Sequence, residues 1–126
     1  MVCLQDIQAS NAQIASTLPG LVAVFVGATN GIGEFTLKQL ARHACRPRVY
    51  FTGRSKAAGD RIVAECKDLN GEGEFTFIKA DTSLIQNVDT VCHEIQAKEG
   101  AINLLFLSAG TLIEGECMHF NNARLY

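Results

Sequence analysis

The sequence has no tryptophan, only two prolines and only two tyrosines among its 126 residues. Concentrated positive charge is missing as well. Eleven basic residues stand against thirteen acidic ones, giving a formal charge of −2 and a pI near 5.9. Nucleic-acid surfaces neutralise phosphates with clustered Lys and Arg, so a nucleic-acid partner is not expected. Long apolar runs are also lacking. The longest, Leu21–Val26 and Leu104–Leu107, fall far short of the ~20 residues needed to span a bilayer, and no membrane partner is expected. Gln, Asn, Asp and Ser dot the first residues, unlike the apolar core of a secretory leader.

Paired cysteines are absent too. Cys3, Cys45, Cys66, Cys92 and Cys117 include no C-x-x-C spacing, which argues against a zinc or redox site. Their odd number argues against a complete disulfide framework. They are expected to act as small hydrophobes in a cytoplasmic protein. The three histidines, His43, His93 and His119, are scattered and suggest no metal cluster.

What is present is ordinary globular composition, with 48% hydrophobic and 19% charged residues. The apolar residues fall into alternating strand-like and helix-like segments. Residues 2–18 carry Val2, Ile7, Ile14 and Leu18 at roughly helical spacing, predicting an amphipathic helix that ends at Pro19-Gly20. Leu21–Gly27 is a continuous apolar, β-branched run suited to a strand covered on both faces. A glycine-rich turn follows, then a helix over Ile32–Cys45 with Phe35, Leu37, Leu40, Ala41 and Ala44 on one stripe. Arg48–Gly53 is the second strand. Ala57–Asn70 is a helix with Ile62, Val63, Cys66 and Leu69 at helical spacing and Gly71 as its C-cap. Glu74–Ala80 is the third strand. The next helix, Ser83–Lys98, turns Leu84, Val88, Val91, Cys92 and Ile95 inward, with Ser83 and Gln86 as a capping box and Gly100 as the stop. Ile102–Ser108 is a fourth buried strand, and Ala109–Tyr126 has no clear period.

This β-α-β-α-β-α-β order predicts an α/β fold: a Rossmann-type doubly wound parallel sheet in three αβα layers. Right-handed crossovers give the strand order 3-2-1-4, with the switch point between strands 1 and 4. The expected division is an N-terminal helix over 1–19, a dinucleotide-binding half over 20–112 and an irregular tail over 113–126.

Gly27-Ala28-Thr29-Asn30-Gly31-Ile32-Gly33 forms a G-x-x-x-G-x-G turn between a buried strand and a helix start, where a dinucleotide needs it. Gly27 suits the tight turn, Gly31 lets backbone approach a pyrophosphate, and Gly33 allows close helix packing. The helix N-terminus adds N–H donors and partial positive charge. No Gly-Lys-Ser/Thr follows, so a P-loop fits less well. NAD sites place a carboxylate about 20 residues on. Here that region reads Gly53-Arg54-Ser55-Lys56. A guanidinium can hold a 2′-phosphate that a carboxylate would repel, which favours NADP(H). The alternative is that Arg54 and Lys56 merely decorate a solvated loop. Asp81, at the end of the third strand, could accept from an adenine amino group or cap the next helix with Thr82 and Ser83.

Together the Gly27–Gly33 turn, Arg54, Asp81 and Ser108-Ala109-Gly110 resemble the compact branch of the short-chain dehydrogenase/reductase family, over roughly residues 20–112. Val26 stands where that branch carries Thr. The stretch VYFTGRS and the N-terminal helix are similar to fungal reductases of meroterpenoid and polyketide pathways. The resemblance implies an NADP(H)-dependent oxidoreductase acting on a ketone or secondary alcohol of a small metabolite. It implies a cofactor surface built from Gly27, Thr29, Asn30, Gly31, Ile32 and Gly33, from Arg54, Ser55 and Lys56, from Asp81, and from Ser108, Ala109 and Gly110. In the family the residue matching Asp81 contacts adenine.

Two departures stand out. The family's N-N-A-G corresponds here to Leu107-Ser108-Ala109-Gly110, leaving Ser108 to donate and accept near a nicotinamide ribose. The family's Tyr-x-x-x-Lys proton relay is missing: Tyr50 has Arg54 four residues on, Tyr126 is the last residue, and Asn121 and Asn122 come too early for the family's catalytic Asn. No catalytic residue is assigned. The expectation is therefore the cofactor half of a fold that ends before strands 5 and 6, with a truncated, catalytically incompetent NADP-binding module or an inactive gene product as the alternative. An apolar fourth strand left at the sheet edge would invite self-association.

Overall fold

The computed structural model describes residues 1–110. The tail expected over 113–126, with Cys117, His119, Asn121, Asn122 and Tyr126, lies outside these. Among the described residues the elements run, in order, α1 (Leu4–Ala12), α2 (Ile14–Thr17), β1 (Val22–Val26), α3 (Gly31–His43), β2 (Arg48–Gly53), α4 (Lys56–Leu69), β3 (Glu74–Lys79), α5 (Ile85–Gln96) and β4 (Leu104–Leu107). The four strands form one parallel sheet in the order β3-β2-β1-β4, as the crossover rule requires.

Strand alternation divides the core between the two faces. Ala23, Phe25, Val49, Phe51 and Phe75 point to one side, where Leu37 and Ala41 of α3 and Ile62 and Cys66 of α4 close over them. Val22, Val24, Tyr50 and Ile78 point to the other, covered by Val91 and Ile95 of α5. Register aligns the strand ends: Val26 lies opposite both Thr52 and Leu107, and Gly53 opposite Lys79. All four C-terminal ends therefore reach one edge of the sheet, where loops carry the candidate residues.

Several local expectations need correction. The N-terminal segment is two short helices rather than one amphipathic helix. Neither buries a residue, and Val2, Ile7 and Leu18 are exposed, while Ile14 alone of the four touches the core. Phe35, Leu69, Leu84 and Cys92 are exposed, because a single sheet face is narrower than each helix's apolar stripe. The Ser83–Gln86 capping box does not form. Helix α5 starts two residues after Ser83, with Leu84 in the cap position and no side-chain cap. Gly71 is not left-handed. Asn70 instead ends α4 in an extended conformation, and its side-chain amide donates to the carbonyls of Ala41 and Ala44 at 2.9 and 2.8 Å.

β4 also departs from the buried strand expected. Phe106 packs against Phe25, with ring centroids 5.3 Å apart. Leu104, Leu105 and Leu107, however, are 37%, 58% and 69% exposed. Among the described residues β1 is the only strand beside β4, so half of its ladder and much of its face have nothing against them.

Candidate functional site: a glycine turn facing Arg54 and Asp81

The turn after β1 is fixed from both sides. Gly27 has φ +85°, and a Cβ there would fall 2.6 Å from backbone atoms of Ala109. Its carbonyl accepts from the Ser108 hydroxyl at 2.9 Å, and its N–H meets the Thr52 hydroxyl at 3.4 Å. Ala28 N–H donates to the Thr52 carbonyl at 3.2 Å. A Cβ on Gly33 would lie 2.4 Å from the Ser108 hydroxyl and 2.6 Å from the Gly27 carbonyl. These two glycines are thus demanded by the protein itself.

Gly31 differs. It has φ +57°, yet a Cβ there would meet nothing within 4 Å among the described residues. The backbone at Gly31 faces open space at the first turn of α3. Asn30, the cap residue, is extended and makes no side-chain cap, so the first amides of α3 keep donor capacity toward a ligand. Ile32 sits beside them and is 77% exposed.

A cleft of about 370 Å³ opens here. Gly27, Thr29 and Asn30 form one wall, Arg54 and Asp81 the facing one, and Ser108, Ala109 and Gly110 the end. Thr52, Gly53, Ala80, Thr82 and Ser83 also line it and were not among the residues expected. Their signal was position: each stands at or just past the carboxyl end of a parallel strand, where open α/β sheets bind ligands. A second hollow of similar size continues past Arg54 and Asp81, between β3 and α5.

Arg54 forms no ion pair among the described residues. Ser55 and Lys56 do not line the cleft. The Ser55 hydroxyl caps α4 by accepting from Ala58 N–H at 3.3 Å, and Lys56 pairs with Asp60 at 2.9 Å. Asp81 accepts through Oδ1 from the Ser83 hydroxyl at 2.7 Å and from the Ser83 N–H at 3.1 Å. These two bonds, with a smaller contribution from the Arg54 charge, hold its carboxyl below the usual range. Asp81 therefore shapes the turn before α5 and does not cap that helix, which begins at Ile85 with no side-chain cap. No partner for Oδ2 is found among the described residues.

Tyr50 stands apart from this edge. It is buried on the α5 face, and its hydroxyl donates to Glu99 at 2.7 Å.

Comparison with known proteins agrees with this geometry. The family model for short chain dehydrogenase matches residues 21–125. The chain belongs to the short chain dehydrogenase family. The chain is 44% identical to the oxidoreductase AN1596 of Emericella nidulans, over 91% of the chain and 34% of that relative. It is 36% identical to the oxidoreductase andH of Emericella variicolor, over 90% and 34%. The chain thus spans about a third of the length of these curated relatives. Among solved structures, the L-sorbose reductase of Gluconobacter frateurii complexed with NADPH and L-sorbose superposes with TM-score 0.69 at 22% identity, over 77% of this chain and 36% of that one. The alcohol dehydrogenase of Thermococcus sibiricus complexed with 5-hydroxy-NADP gives 0.61 at 26% identity, over 68% and 35%. No helix of the described residues is long and apolar enough to cross a membrane.

Proposed function

We propose that this chain provides the NADP(H)-binding part of an oxidoreductase that interconverts a ketone and a secondary alcohol on a small metabolite. The observation that carries this reading is one juxtaposition: Gly27, Thr29 and Asn30 of the glycine turn, which leads into the open-faced Gly31 at the start of α3, share a single cleft with Arg54, which has no ion pair among the described residues. The donor set fits an anionic dinucleotide. Backbone amides from Gly31 to Gly33 would hold the diphosphate, and Arg54 the 2′-phosphate. Asp81 would take the adenine amino group through its second oxygen, and Ser108, Ala109 and Gly110 would border the nicotinamide ribose. When bound, the nicotinamide supplies the two-electron equivalent for carbonyl reduction or takes it back. The chain's own contribution is to bind and orient it, and no proton-transfer residue is assigned among the 126 residues.

The kinship with fungal oxidoreductases supports a role in secondary metabolism, with the free thiols of Cys3, Cys45, Cys66 and Cys92 in keeping with a cytoplasmic setting. Fluorescence titration of the full chain tests the reading. NADPH should bind at least about tenfold tighter than NADH, and Arg54→Gln should remove the difference. Binding of neither nucleotide would overturn it.

A further inference from the structure

Gly53 is the last residue of β2, buried, and has no left-handed conformation that would require glycine. Its lack of a side chain has another reason. A Cβ at position 53 would fall 2.1 Å from Thr29 Cγ2, 2.8 Å from its Oγ1 and 3.0 Å from its Cβ. Thr29 therefore occupies the space a side chain would fill. Contacts that close are repulsive, so any larger residue must displace the Thr29 side chain, and through its Cβ it presses on the turn that carries Thr29.

The position of Gly53 makes this consequential. Its carbonyl accepts from Ala80 N–H at 3.0 Å, tying it to the β3 end that leads into Asp81. Arg54 follows it directly. Thr29 belongs to the opposite wall, between Gly27 and Gly31. The Thr29–Gly53 contact is thus the point nearest Arg54 at which the glycine turn meets the end of β2, next to the bonds from Gly27 and Ala28 to Thr52, and it contributes to the distance between the two walls.

We propose that Gly53 is a specificity-setting positioning residue: by seating Thr29 on the end of β2, it helps fix the spacing between the turn and Arg54 to suit a dinucleotide with a 2′-phosphate. This rests on the NADP(H) reading above. A dinucleotide without the 2′-phosphate would reach the far wall only through its adenine at Asp81, and not at Arg54, which follows Gly53 directly. A ligand held at both diphosphate and 2′-phosphate senses the gap between the two walls. Displacing Thr29 therefore weakens the second kind of ligand more.

Dissociation constants for NADPH and NADH, measured by fluorescence on wild type, Gly53→Ala, Thr29→Ala and the double variant, test this as a double-mutant cycle. Gly53→Ala should cut the NADPH-over-NADH preference about tenfold, and adding Thr29→Ala should restore most of it. Should Gly53→Ala fail to fold, Thr29→Ile presses extra volume into the same gap with glycine retained, and the same selective loss is expected. An unchanged preference in the folded variant, an equal loss for both nucleotides, or a double variant no better than Gly53→Ala overturns the proposal. If wild type prefers NADPH and any of these results appears, the inference alone falls. If wild type binds neither nucleotide, the functional reading falls and takes the inference with it.

Discussion

The hydroxyl of Ser108 donates to the carbonyl of Gly27 at 2.9 Å, joining two residues 81 positions apart in the chain. This bond ties the end of β4 to the turn after β1, beside the Ala109 backbone that blocks any side chain at Gly27. It also commits the one Ser108 proton to the protein, leaving only its lone pairs for a ligand. Ser108→Ala should destabilise the chain by about 0.5–1.5 kcal/mol, the net worth of one such bond, with little change in denaturant slope. Urea unfolding followed by circular dichroism measures it, and a midpoint unchanged from wild type would show that the bond contributes nothing.

The glycines of the turn should separate by role. Gly27→Ala meets both a positive φ and the Ala109 backbone, so it should destabilise by more than about 2 kcal/mol. Gly31→Ala meets only the positive φ, at about 1 kcal/mol, but places a methyl in the open space before α3. It should remain folded while losing dinucleotide affinity about tenfold or more. Melting and nucleotide titration of both variants distinguish the two. Equal affinity in Gly31→Ala and wild type would remove Gly31 from the ligand surface.

Much of this was legible in the sequence for a physical reason. Strand order follows from chain order and crossover handedness, and the Gly27–Gly33 spacing marks a backbone conformation that few other residues tolerate. What was not legible depends on tertiary distance. Nothing local marks Thr52 or Gly53 as cleft residues, because their partners Ala28 and Thr29 belong to another strand end. The capping box at Ser83 had the right letters, but Asp81 captured both Ser83 donors first. Periodicity likewise gave the stripe of α3 but not the width of the face beneath it, so Phe35 was placed inside and lies outside.

Glu34 gives the fold a dependence on acid. It lies in the first turn of α3, where Arg61 of α4 holds it at 2.8 Å and Lys38 also pairs with it. Both cations reach Glu65 as well, closing a four-membered network between the helices. The Arg61 bond is the main reason that the Glu34 carboxyl is pulled down to about 2, against the cost of its partial burial. A carboxyl lowered in the folded state stabilises at pH values above its unfolded pKa. That contribution fades as pH falls from about 4.5 through about 2. Glu34→Gln should cost about 0.5–1 kcal/mol at neutral pH, and the gap from wild type should close across this window. Urea midpoints at several acidic pH values check this, and a gap that stays constant with pH would refute it.

Tyr50 should behave as a structural phenol. Burial first, and then its bond to Glu99, raise its pKa from 10.0 to about 12. Glu99 is only 5% exposed on its side chain and also pairs with Arg48 at 3.1 Å. The phenol is favoured as neutral in the fold, so its contribution is full below pH 10.0 and lost as pH rises toward about 12. Ultraviolet titration should show a late phenolate step that Tyr50→Phe removes. The same substitution leaves a buried carboxylate oxygen without its donor and should cost about 1–3 kcal/mol. A Tyr50 that ionises at pH 10.0 would contradict this account.

The exposed side of β4 makes the last prediction. Leu105 and Leu107 lie on the α5 face of the sheet, beyond the reach of Val91 and Ile95, and a strand edge with apolar neighbours pairs readily with another copy. The 126-residue chain should therefore self-associate as its concentration rises. Charges on such an edge oppose pairing, so Leu105→Lys together with Leu107→Lys should shift it toward monomer. Neither side chain is in the buried core, so the pair should change unfolding stability by less than about 1 kcal/mol. Sedimentation velocity over a concentration series reads this directly. A wild-type chain that stays monomeric at the highest concentration would show that the open edge of β4 does not drive association.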